Sequence, residues 1–153
     1  MEYLKALKEI SKKYQKLQLT VLGDGSQANE AKEYAGHNKL NAEFKGFVKN
    51  TDNHLERASF VFTSRYLGIL ESLVSKKYVL AVYNNEIKKD YLQMTPFANF
   101  ISISKNSNEI RDQLYKYLSD EKLKNIKISN GYTWVKNQTW EKMTDTYLKL
   151  WSN

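Results

Sequence analysis

Short apolar runs alternate with amphipathic stretches along nearly the whole chain, and this alternation constrains the fold more than any other feature. "LQLTVL", "SFVFT", "YVLAVY" and "NFISI" read as strands, and "SFVFT" and "YVLAVY" are apolar with little in-and-out alternation. Strands of that kind are buried on both faces, the habit of parallel sheets. "AEFKGFV" adds a short strand with a turn. Between these runs, apolar residues recur at helical spacing. Tyr3, Leu4, Leu7, Ile10 and Tyr14 predict an amphipathic helix over residues 2–15. "SQANEAKEYAG" predicts a second, closed by Gly36, with Asp24 and Ser26 as capping candidates. "NTDNHLERA" reads as one or two helical turns, "YLGILESLVSK" as a helix, and "NEIKKDYLQM" as a helix that runs up to Pro96. Ile110, Leu114, Tyr117 and Leu118 mark another, and a further helical segment covers 120–136. Thr139 caps a last helix whose apolar face is Trp140, Met143, Tyr147 and Trp151. The expected fold class is therefore α/β, doubly wound, with a mainly parallel sheet and helices on both faces.

A length of 153 residues suits one domain, 1–153, with a substantial core. With no cysteine, disulfides, thiol catalysis and cysteine-rich metal sites are excluded. His37 and His54 are isolated, no acidic cluster accompanies them, and no metal site is expected. No Ser-His-Asp set emerges either. No apolar run approaches the ~20 residues of a membrane span. "MEYLKALKEISKKYQKL" is charged and amphipathic rather than a signal peptide, so the expected location is cytoplasmic. The net charge of +7 is compatible with phosphorylated ligands, nucleic acid or peripheral contact with an anionic membrane. The lysines occur as scattered pairs such as Lys76-Lys77 and Lys88-Lys89, which read first as a solvated surface, and no nucleic acid is expected as a partner.

In a doubly wound sheet, ligands sit beyond the C-terminal ends of the strands. "VFTSRYLGILE" lies at such a place: strand end, turn, helix start. A helix opening after it offers unpaired backbone N–H groups and a positive dipole end, which suit a phosphate. Gly68 would permit close backbone approach, Thr63 and Ser64 supply hydroxyls, and Glu71 stands within reach of a ribose diol. The plain alternative is that Gly68 serves helix packing and Glu71 is a first-turn acid favoured by the dipole.

The order of "VLGDGSQANEAKEYA", "AEFKGFV", "ERASFVFTSRYLGILESLVSKKYVLAVYNNEIKKDYL" and "TWVKNQTWEKMTDTYLKLW" resembles the C-terminal, donor-binding domain of glycosyltransferases group 1. These are retaining, sugar-nucleotide-dependent enzymes of the GT-B fold, the large family numbered four. The likeness runs from about Leu4 to Trp151. It implies a Rossmann-like domain that binds a nucleotide sugar, such as a UDP- or GDP-sugar, as substrate and without a resident cofactor. It implies that the turn holding Thr63, Ser64, Arg65, Tyr66, Leu67 and Gly68 meets the donor diphosphate, and that Glu71 contacts the ribose. Gly46, Phe47 and Val48 would line the nucleobase.

Two departures accompany the resemblance. The family's first glutamate, which contacts the donor sugar, falls on Thr63 when counted back from Glu71. Family members also carry a strand and a Gly-Arg…Lys-Gly loop before the helix matching residues 2–15, together with an N-terminal acceptor domain. The resemblance thus implies half of an active site, inactive by itself, working with a separate or deleted acceptor domain. It also implies a last helix whose aromatic face is left for that domain or for a second copy of the chain. Two alternatives stand beside this reading: a degenerate, non-catalytic nucleotide-binding or protein-interaction module of the same fold, and a basic nucleic-acid-binding protein.

Overall fold

The structure, a computed structural model, describes residues 1–152. In chain order the elements are α1 (Glu2–Ser11), β1 (Leu19–Leu22), α2 (Ala28–His37), β2 (Ala42–Gly46), α3 (Asp52–Arg57), β3 (Phe60–Phe62), α4 (Tyr66–Val74), β4 (Tyr78–Val82) and α5 (Glu86–Gln93). A 3₁₀ turn (Pro96–Phe100) follows, then β5 (Ser102–Ser104), α6 (Ser107–Ser119), α7 (Glu121–Val135) and α8 (Trp140–Trp151).

Every strand pairing is parallel. β1 pairs with β2, Leu19 opposite Ala42, with a register shift after Val21 that sets Leu22 opposite Gly46. β3, β4 and β5 form a second ladder, with Phe60 opposite Tyr78 and Leu80 opposite Ser102. The expected sheet is thus present as two ladders, and among the described residues no ladder joins β1 to β3.

β4 explains why helices cover both faces. Its residues Tyr78 to Ala81 are all buried, and successive side chains point to opposite sides. Tyr78 and Leu80 pack with Ala6 and Ile10 of α1 and Ile110, Leu114 and Tyr117 of α6. Val79 and Ala81 pack with Ile69 and Leu73 of α4, Leu92 of α5, Phe97 and Val135. Each fully buried aliphatic or aromatic side chain contributes about 1.5–3 kcal/mol, so these two clusters carry the fold. By contrast β1 and β2 bury none of their residues fully.

Several local expectations shift. α1 stops at Ser11, short of Tyr14. Gly36 lies inside α2 and does not cap it; the helix runs on to His37, and the left-handed residue is Lys39, φ +52°. A Cβ on Gly36 would meet nothing within 4 Å, so no steric demand places glycine there. Asp24 and Ser26 do not cap α2; its N-cap is Gln27, without a side-chain bond, while the Asp24 carboxylate accepts from the Gly25 N–H at 2.8 Å. Pro96 opens the 3₁₀ turn, which takes up Phe100, and so moves the last strand from "NFISI" to Ser102–Ser104. Thr139 caps α8 as expected, accepting from the Lys142 N–H at 3.3 Å.

Candidate functional site at the strand ends

β3 passes into α4 through Thr63, Ser64 and Arg65 only. The Thr63 N–H donates to the Leu80 carbonyl at 3.1 Å, carrying the ladder one residue past the strand. Ser64 clamps the turn to β4: its Oγ accepts from the Val82 N–H and donates to the Val82 carbonyl, both at 2.8 Å. The Tyr3 hydroxyl of α1 approaches the same Oγ at 3.3 Å, while the Tyr3 ring stacks on Phe62 at 4.6 Å between centroids. Burial pushes the Tyr3 phenol pKa up, so it stays protonated as a hydrogen-bonding group. A turn of small polar residues is held in this way on three sides.

Arg65 is the extended N-cap of α4, and no side chain caps the helix. Its opening N–H groups, at Tyr66, Leu67 and Gly68, are the ones an α-helix leaves without an intrahelical partner. Arg65, Tyr66 and Leu67 are exposed. Gly68 is already in the first helical turn, and its reason is on the protein side: a Cβ there would stand 2.8 Å from Thr63 Oγ1. Glu71 is exposed in the second turn of α4, whose first turn contains no acid. At 1.5 Å of rise per residue it lies about 7.5 Å along the axis from Tyr66. Dipole stabilisation fades within the first turn, so it does not account for Glu71.

At the other ladder, β1 and β2 end in two left-handed glycines, Gly23 (φ +106°) and Gly46 (φ +64°), joined by a 2.6 Å bond from the Gly23 N–H to the Gly46 carbonyl. Past Gly46, Phe47 is 86% exposed and Val48 is half-buried. No hydrogen bond, ring contact or ion pair links Gly46–Val48 to Thr63–Glu71 among the described residues. Each group therefore stands at the end of its own ladder.

Sequence reading missed Lys88. The pair Lys88-Lys89 splits on folding: Lys89 makes a surface ion pair with Glu86 at 2.8 Å, whereas Lys88 turns inward. Asn85 caps α5 by accepting from the Lys88 N–H at 2.8 Å. The Lys88 ammonium donates to the Ser64 carbonyl and lies 4.2 Å from the centre of the Tyr91 ring. Burial lowers its pKa, and the charge of Arg65 lowers it further. A capping Asn three residues before a lysine was the available signal, since it fixes which side of the first turn that lysine takes.

No group of His, Cys, Asp and Glu suited to a metal forms among the described residues. Shallow hollows line α8, one bounded by Asp145, Leu148, Lys149 and Ser152, another by Thr144, Tyr147, Leu148 and Trp151. Neither includes a residue of the strand ends. α8 itself buries no residue, and Trp140, Tyr147 and Trp151 are exposed.

Residues 2–134 match the model of the family Glycosyl transferases group 1. The chain belongs to that family. Its fold agrees with solved members of the GT-B class. S. aureus TarM, in a variant solved with Fondaparinux, alpha-GlcNAc-glycerol and UDP, superposes with a TM-score of 0.78 at 18% identity, over 99% of this chain and 32% of its own. The C-terminal domain of a Glycosyl Transferase Group 1 Family Protein (LpcC) from Francisella tularensis gives 0.71 at 20% identity, over 88% of this chain and 76% of that one. The pneumococcal O-GlcNAc transferase GtfA, in complex with UDP and GlcNAc, gives 0.70 at 14% identity, over 97% and 31%. No curated protein matches the chain at comparable significance. The glycosyltransferase group 1 chain described here spans about a third of the length of TarM and GtfA.

Proposed function

We propose that the chain is the donor-binding part of a retaining glycosyltransferase, taking a nucleotide sugar as substrate and needing an acceptor domain for transfer. The observation that carries this reading is the junction of β3 and α4. An uncapped helix start sits on a turn clamped by Ser64, and Glu71, whose carboxylate makes no ion pair among the described residues, stands one turn further on. The diphosphate would meet the N–H groups of the first turn, and Glu71 would accept from the ribose hydroxyls. Gly46, Phe47 and Val48 would receive the base, Phe47 by apolar packing. The UDP in the TarM and GtfA structures supports a uridine donor as the first one to try.

The acceptor domain, or a second copy of the chain, would cover the aromatic face of α8. Without closure the strand ends stay wet, which weakens every polar contact there. The chain alone would therefore bind the donor weakly and transfer no sugar. One observation favours a second reading, a non-catalytic module of the same fold: the position eight residues before Glu71 is Thr63, which has no carboxylate for a donor sugar. Saturation-transfer NMR with UDP, GDP and a short oligonucleotide tests the proposal. Transfer to a nucleoside diphosphate and none to the oligonucleotide is the expected result; the reverse pattern would replace it with nucleic-acid binding.

A further inference from the structure

The two ladders each leave one edge open, on β1 and on β3, and both edges have the make-up of inner strands. The N–H groups of Leu19 and Gly23 donate toward β2, so the intervening Thr20 and Leu22 turn their N–H and carbonyl groups to the other side. The Thr63 N–H donates to Leu80 of β4, so Phe60 and Phe62 likewise turn away from β4. No hydrogen bond to these four backbone positions forms outside the two ladders among the described residues. Natural sheet edges are protected by charge or by brevity. β2, an outer edge, carries the ion pair of Glu43 and Lys45, and β5, the other outer edge, is only three residues long. β1 ("LTVL") and β3 ("FVF") hold no charge at all. β4, which has a strand on each side, buries Tyr78 to Ala81 completely, whereas the equally apolar β3 stays half-buried throughout.

Helix α1 spans both halves. It packs on β4 and α6, stacks Tyr3 on Phe62 of β3, and touches α2, the helix that joins β1 to β2. We propose that an extended, uncharged segment of a partner polypeptide adds as a strand between β1 and β3, joining the two ladders into one sheet. Strands linked through a single helix run parallel, so β1, β2 and β3 share a direction, and the added strand would run with them. Main-chain hydrogen bonds to Thr20 and Leu22 on one side, and to Phe60 and Phe62 on the other, would hold it. The absence of charge on both open edges requires apolar side chains on both faces of the added strand. Its C-terminal end would lie beside the start of α1, because Tyr3 meets Ser64 just past the end of β3. The join would also fix the spacing between Gly46–Val48 and Thr63–Glu71, and only this consequence rests on the donor-binding reading.

Amide hydrogen exchange of the full chain, followed by NMR, tests the proposal without any nucleotide, so its failure leaves the donor reading standing. The probe is the peptide "KYVLAVYN", residues 77–84, which is the chain's own strand apolar on both faces. It is offered free and also joined ahead of Met1 through a short Gly-Ser link, which raises its effective concentration. In the chain alone the N–H groups of Thr20, Leu22, Phe60 and Phe62 should exchange faster than those of Val21 and Val61, which face a paired strand. The joined peptide should slow the four open-edge groups about tenfold or more, equivalent to about 1.4 kcal/mol, and the free peptide should do so at high concentration. The same peptide with Ala81→Pro, which removes a ladder donor, should not. Unchanged protection of Tyr78 to Val82 shows that the joined protein is folded. Four open-edge groups already as slow as Val21 and Val61 in the chain alone would mean that β1 and β3 pair directly, and would overturn the proposal. Four groups left as fast as before in the folded, joined protein would overturn it too.

Discussion

Thr63 Oγ1 lies 2.8 Å from the point where a side chain on Gly68 would begin, too close for a Cβ to fit without a shift. Gly68→Ala should cost about 1–3 kcal/mol by overpacking, offset in part by the ~1 kcal/mol better helix propensity of alanine. In a Thr63→Ala background the clash is gone, and the same change should be neutral or stabilising. Chemical denaturation of the four proteins of this cycle checks it; additive effects would place the cause elsewhere.

Ser64 is predicted to matter more for the turn than any residue exposed beside it. Ser64→Ala strands the Val82 N–H and carbonyl, each bonded to Ser64 Oγ at 2.8 Å. The unsatisfied groups of a fully buried pair would cost roughly 1–3 kcal/mol each; these are part-buried, so a loss of about 1–3 kcal/mol in total is the expected outcome of a urea titration. A loss under a few tenths would mean that water replaces the hydroxyl.

Acid should loosen the contact between α1 and α6. The Glu2 carboxylate accepts from Lys5 Nζ and from the Ser107 N–H, each at 2.7 Å, and these bonds, the Lys5 bond first, hold its pKa below the usual carboxylate value. A folded-state pKa below the unfolded one adds stability above the ordinary carboxylate range. That stability fades as the pH falls through the folded-state pKa. Glu2→Gln should therefore flatten the acid limb of a stability–pH curve and leave a smaller difference from wild type at low pH than at neutral pH. Parallel curves would assign the acid sensitivity to other groups.

α8 should be dispensable for folding and not for association. It buries no residue, so ending the chain before Thr139 should change stability by less than about 1 kcal/mol. The full chain should self-associate at high concentration or bind an acceptor domain, and the shortened one should not. A monomeric sedimentation profile for both, with no binding by either, would contradict the role given to Trp140, Tyr147 and Trp151.

The sequence made the fold class legible because the strongest signals were buried ones. "YVLAVY" is β4 almost residue for residue, since a strand buried on both faces has no polar alternation to blur it. Element ends were less legible. Gly36 looked like a helix stop but bore no steric demand, and Pro96 acted on the following strand through a 3₁₀ turn that periodicity does not signal. At the site, sequence order placed the β3–α4 turn and left Gly68 between close ligand approach and helix packing, because its neighbour Thr63 lies five residues away across a turn whose shape the sequence does not give. Lys88 was hidden for the same reason: two adjacent lysines look alike until the Asn85 cap sets one inward and one outward.

Glu71 carries the central claim, and calorimetric titration of UDP, GDP and ADP into wild type and Glu71→Gln is the direct measurement. The side chain is exposed and makes no ion pair among the described residues, so the substitution should alter stability by no more than about 0.5 kcal/mol. Wild type should bind one of the three nucleotides, weakly, in the neighbourhood of millimolar affinity, about −4 kcal/mol. Loss of a charged hydrogen bond of about 1.5–3 kcal/mol should weaken that binding tenfold or more in Glu71→Gln. Equal affinity in the two proteins would make Glu71 an ordinary surface acid, and no binding by wild type to any of the three would contradict the donor-binding account altogether.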